Sequence, residues 1–202
     1  MSNEKNKIND EEILKFLKFS YFGDLNISIE VASNRAYRDM CRTIKFKKLK
    51  ELTSRRELRD KVNYIFKDEI SKLISGGIAG KNGFNKWHRN VCENIKKLYS
   101  DKCIDFTFGQ AQKWINMTIK YLYMFQVYSF NSVFEYLHIP LDNYIFDSVE
   151  GELEIDRPNN TWSGWDNYDK YLKYQNDIRE KICTAPLDWE FENWLDVAQN
   201  KN

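Results

Sequence analysis

The stretch GQAQKWINMTIKYLYMF, residues 109–125, constrains the fold more than any other part of the chain. Trp114, Ile115, Met117, Ile119, Leu122 and Phe125 recur at helical spacing, but they spread over much of the helix circumference instead of forming one stripe. A helix that is apolar on most sides is stable only when other elements enclose it. The remainder of the chain must therefore supply an enclosing layer.

Periodicity identifies that layer as helical. Ile13, Leu14, Phe16, Leu17 and Phe19 repeat at helical steps behind Asp10, which is placed to cap them, and Gly23-Asp24 ends the run. Asn26 to Val31 (NISIEV) alternates without a partner strand and reads as an extended connector. Residues 32–46 then place Ala36, Met40 and Ile44 inward and Arg35, Arg38 and Arg42 outward. After a Lys-rich link, Thr53 or Ser54 is expected to cap a longer helix carrying Leu58, Val62, Ile65, Ile70 and Leu73. The segment GGIAGKNG that follows, with four glycines in eight residues, reads as a hinge loop. Phe84, Trp87, Val91, Ile95 and Leu98 mark the next helix. Two more are expected beyond a polar loop that holds Trp162 and Trp165, the last starting after Pro186. The expected fold is all-α: a compact multi-helix domain, with a basic helical layer over residues 1–78 and a core with acidic C-terminal helices over 79–202, forming one unit.

Several function classes are excluded at this level. No apolar run is long enough for a membrane span, and the first twenty residues begin polar and acidic, unlike a signal peptide, so a cytoplasmic protein is expected. Cys41, Cys92, Cys103 and Cys183 lie far apart with no Cys-x-x-Cys pair, which encodes neither a disulfide framework nor a zinc site. With His88 and His138 as the only histidines, no metal or other cofactor is expected. The glycine-rich loop lacks the Gly-x-x-x-x-Gly-Lys-Ser/Thr pattern of a nucleotide P-loop.

The net charge of +1 conceals a separation along the chain. Arg35 to Lys61 carries eleven basic residues against four acidic, whereas Asp147 to Asp196 carries five against thirteen. A basic surface containing Arg35, Arg38, Arg42, Lys47, Lys48, Arg55 and Arg56 suits a polyanion. Two solvated helix faces of opposite sign are the alternative explanation.

Two residues stand at helix starts with chemistry in reach. Lys113 lies near the N-terminal end of the enclosed helix, where the helix dipole and partial desolvation both disfavour an ammonium and favour a nucleophilic amine; a lysine that snorkels to solvent from the helix end is the alternative. Asp142 follows Pro140 at the start of a second helix, where capping alone explains an aspartate. A joint role requires the two side chains to meet across a cleft. Trp162, Trp165, Trp189 and Trp194 can line a base pocket or simply pack in the core, and Glu190 and Glu192 read as solvated.

Gly109-Gln110-Ala111-Gln112-Lys113 and Pro140-Leu141-Asp142 together resemble the helix-hairpin-helix DNA glycosylases of the 8-oxoguanine DNA glycosylase and endonuclease III branches. In that family a Gly-x-Gly-x-Lys hairpin supplies a Schiff-base lysine and a later Pro-x-Asp supplies an essential aspartate; here Ala111 stands at the second glycine. The resemblance implies a helix-hairpin-helix-like motif, Lys113 as nucleophile, Asp142 as the assisting carboxylate, and backbone N–H groups of Gly109, Gln110 and Ala111 holding a DNA phosphate. It also implies DNA as partner and base excision, with or without strand cleavage, as activity. A non-catalytic helical protein that binds DNA or a protein partner is the competing expectation.

Overall fold

Helix α5 (Phe108–Met124) runs through the middle of the molecule, with every residue from Gly109 to Asn116 and from Thr118 to Leu122 buried. The computed structural model describes residues 9–46 and 51–200. Around α5 stand α1 (Asp10–Phe22), α2 (Ile29–Met40), α3 (Leu52–Ile74), α4 (Gly80–Ser100), α6 (Asn143–Leu153), α7 (Tyr168–Lys181) and α8 (Pro186–Asn200). Short 3-10 turns lie at Cys41–Thr43, Phe134–Tyr136 and Trp162–Gly164, and no strand occurs among the described residues. The protein is all-α, as the periodicity predicts. No helix among the described residues is long and apolar enough to cross a membrane.

α2 packs most extensively on α5, α3 bridges α2 and α4, and α6 pairs with α8. One apolar core joins residues from Ile27 to Trp189. Ala36, Met40 and Ile44 face it from α2 and the turn that follows, and Leu58, Val62, Phe66, Ile70 and Leu73 do so from α3.

Some boundaries differ from the sequence reading for identifiable reasons. Asn9, not Asp10, caps α1 through its side chain. The NISIEV connector is shorter than expected because Ser28 accepts the Val31 N–H, so the first turn of α2 takes up Ile29 to Val31. Glu51 precedes α3 in place of a Thr53 or Ser54 cap. Two of the hinge glycines, Gly80 and Gly83, lie inside α4, because Gly80 supplies a positive φ of 67° at the helix entrance. α1 departs most from expectation. None of its residues is buried, and Phe16 and Phe19 are 71% and 60% exposed. Leu14 and Phe22 pack against the core, while Tyr21 reaches the Tyr121 hydroxyl at 2.9 Å.

Candidate functional site

Lys113 and Asp142 meet. Lys113 Nζ lies 2.8 Å from Asp142 Oδ2 and 3.3 Å from the Pro140 carbonyl, with the two side chains 7% and 17% exposed. The same aspartate caps α6, because its Oδ1 accepts the Ile145 N–H at 2.9 Å. Capping and pairing are therefore done together, one oxygen to each. Burial pushes the Asp142 carboxyl upward, but the Lys113 charge and hydrogen bond, the Ile145 N–H and Trp194 outweigh it and hold the group below the usual carboxylate range.

The long interval between the two residues folds back through an unusual device. His138 to Asp142 is an extended run whose backbone is paired by two side-chain amides in place of a neighbouring strand. Gln112 accepts from Leu141 N–H and donates to Leu141 C=O, both at 3.2 Å. Gln175 does the same for Ile139, at 3.1 and 2.8 Å. Asn116 donates to Gln112 Oε1 and to the Tyr171 hydroxyl, which fixes the first amide. Buried backbone groups require such partners, since each left unmade costs about 1–3 kcal/mol.

The pair sits in a cleft of about 600 Å³ that also reaches Tyr21, Arg35, Arg38, Arg42, Trp162 and Trp194. A second ion pair, which the sequence did not reveal, lies in the same cleft. Lys120, seven residues beyond Lys113 on α5, bonds the carboxylate of Glu190 on α8 at 2.8 Å. Glu190 is 1% exposed, contrary to the solvated position expected for it, whereas Glu192 is exposed. Burial raises the Glu190 carboxyl above its ordinary range in spite of Lys120. Across the cleft Arg35 bonds Asp39 at 2.7 Å and stacks on Tyr21, its guanidinium carbon 4.4 Å from the ring centre. Arg35, Arg38, Arg42, Lys113 and Lys120 outnumber Asp39, Asp142 and Glu190, so the cleft is basic and partly walled by aromatic rings.

Gly109, Gln110 and Ala111 do not form a hairpin. They are the first turn of α5 behind Thr107, which caps it reciprocally with Gln110. Their N–H groups are all engaged: Gly109 donates to the Trp165 carbonyl at 2.8 Å, Gln110 to Thr107 Oγ1 and Ala111 to the Thr107 carbonyl. None is left to hold a phosphate. Gly109 is required for a different reason, because a Cβ there would stand 1.8 Å from the Trp162 carbonyl oxygen. Of the remaining basic residues, Arg55 and Arg56 lie on α3 outside the cleft, while Lys47 and Lys48 lie outside the described residues.

His88 and His138 belong to a buried network and not to the cleft. His88 bonds the Tyr168 hydroxyl and Asn116, and His138 bonds the Tyr171 hydroxyl and Asn85. Burial lowers the His88 pKa to about 3 and that of His138 well below the ordinary value, so both are neutral at pH 7. Among the described residues no group of three His, Cys, Asp or Glu side chains is gathered as metal ligands. No protein-family model, curated protein or solved structure matches the chain.

Proposed function

We propose that the cleft receives an unstacked nucleobase from DNA and that Lys113 and Asp142 cleave its N-glycosidic bond. The observation that carries this reading is the 2.8 Å contact between an amine and a carboxylate at the base of a basic, aromatic-walled cleft. The volume of about 600 Å³ falls within the roughly 300–1,000 Å³ of small-ligand sites. Extracting a base costs a few kcal/mol, which stacking on aromatic walls helps to offset.

The two residues divide the chemistry. The Lys113 ammonium gives a proton to the departing base, and the electrons of the glycosidic bond leave with that base. The freed amine lone pair forms the new bond to the sugar C1′, while Asp142 stabilises the positive charge that develops there. Asp142 next takes a proton from the attached nitrogen and returns it to O4′ as the ring C–O bond breaks, leaving a protonated Schiff base on Lys113. The Pro140 carbonyl, 3.3 Å from Nζ, orients the amine throughout.

Borohydride trapping tests this directly. Oligonucleotides carrying a panel of modified bases should yield a covalent adduct with the wild type and none with Lys113→Ala. A non-catalytic DNA- or protein-binding protein is the second reading, favoured by the fact that capping α6 already accounts for Asp142. The absence of adduct and base release across the panel would select it.

A further inference from the structure

The basic residues of α2, the turn after it and α3 serve two cavities, not one face. Arg42 lines the Lys113 cleft and also a second cavity of about 630 Å³, which it shares with Arg55, Arg56, Arg59, Tyr37 and Phe46. Among the described residues that line this second cavity, none is acidic. Asp60 approaches Arg59 at 3.7 Å and Arg56 at 4.0 Å, but its side chain is 53% exposed, and pairs of that kind contribute little in water.

Each of the two aromatic rings lies beside a guanidinium. The guanidinium of Arg55 lies 4.6 Å from the centre of Phe46, and that of Arg59 lies 5.9 Å from the centre of Tyr37. Each ring thus has a guanidinium near one face. A stacked guanidinium keeps its N–H fork in a defined plane, which suits the oxygens of a phosphate. The cavity therefore presents positive charge in a defined orientation. Arg42, Arg56 and Arg59 together exceed what one phosphate needs.

We propose that this arginine groove holds the phosphates of a single DNA strand, that a neighbouring nucleotide of the strand enters the Lys113 cleft, and that Arg42 stands at the junction. The identity of the cleft occupant rests on the base-excision reading; the groove itself does not. A single strand also presents its bases at the lowest unstacking cost. The phosphate-holding role expected of the Gly109 turn passes to Arg42 in the turn after α2 and to side chains of α3.

The test is fluorescence anisotropy with a labelled single-stranded oligodeoxynucleotide over about 50–200 mM salt, where each phosphate neutralised on a single strand adds about 0.7 to the log–log slope. Arg56→Ala with Arg59→Ala should reduce the slope by about 1.4 and weaken binding about tenfold or more at low salt. Arg56→Glu, a change at an exposed position that does not burden folding, should weaken binding in the same direction. Unchanged slope and affinity in both variants would overturn the groove. Equal affinity for the matching duplex would overturn the single-strand assignment, and binding of inorganic tripolyphosphate without the strand would overturn the polynucleotide. Base release that persists beside an unaltered slope removes the groove and leaves the base-excision reading. A reduced slope with no base release from any substrate does the reverse.

Discussion

At the residue scale, Asp142 and Gly109 show how differently two sequence signals translate. Asp142 admits two explanations in the sequence, cap or reactive group; in the structure one oxygen caps α6 and the other pairs with Lys113. Asp142→Asn should keep the cap but lose the pair, leaving Lys113 without its carboxylate at a cost of about 3 kcal/mol. Asp142→Ala should lose about 1 kcal/mol more, the value of the cap. Urea denaturation of both variants separates the two contributions, and equal losses would show that the cap counts for nothing. Gly109 looks in the sequence like a phosphate-binding turn, yet its missing Cβ makes room for the Trp162 carbonyl. Gly109→Ala should cost about 3 kcal/mol, because backbone and not a pliable side chain stands in the way. A melting temperature within a degree or two of wild type would contradict this close packing.

At the scale of elements, the helices were largely legible, because apolar residues at steps of three and four report burial directly. Leu58, Val62, Ile70 and Leu73, and Phe84, Trp87, Val91 and Ile95, occupy the faces their spacing assigns. The start of α2 was not legible, since Ile27, Ile29 and Val31 alternate as a strand would and only the Ser28 cap decides the matter. The apolar residues of α1 have helical spacing but remain mostly exposed, because periodicity states which side of a helix is apolar and not whether anything covers it. The cleft was half legible. Lys113 and Asp142 announced themselves by position, whereas Glu190 pairs with Lys120 across a separation of 70 residues that no local pattern encodes. Gln112 and Gln175 were equally silent, as an amide in a helix carries no periodic signal of what it bonds. Their importance can be measured. Gln112→Leu strands both backbone groups of Leu141, so it should cost about 2–4 kcal/mol and lower any Lys113-dependent trapping severalfold, while retained stability and trapping would show that the extended run holds itself.

At the scale of the whole molecule, neutral buried histidines should make the fold sensitive to acid. His88 and His138 bind protons near pH 6.5 when unfolded but only at much lower pH when folded. Below pH 6.5 the unfolded chain therefore takes up as many as two more protons than the folded one, and stability falls with pH by up to about 2.7 kcal/mol per unit. Asp142 adds to the loss further down, as pH drops through its lowered folded value. Glu190 acts oppositely: its raised folded pKa makes stability increase as pH falls from that value towards about 4.5. Urea midpoints measured at pH 7 and pH 5 should differ accordingly, and identical midpoints would mean that the histidines are protonated in the folded state. The polar groups of α5 also set an order of events for a chain emerging from the ribosome. Gln112 needs Leu141, Asn116 needs Tyr171 and Lys120 needs Glu190, all synthesised after the helix that requires them. A nascent chain halted before residue 190 leaves this central helix incompletely paired, so the native interior closes late in synthesis and not from the first helices onward.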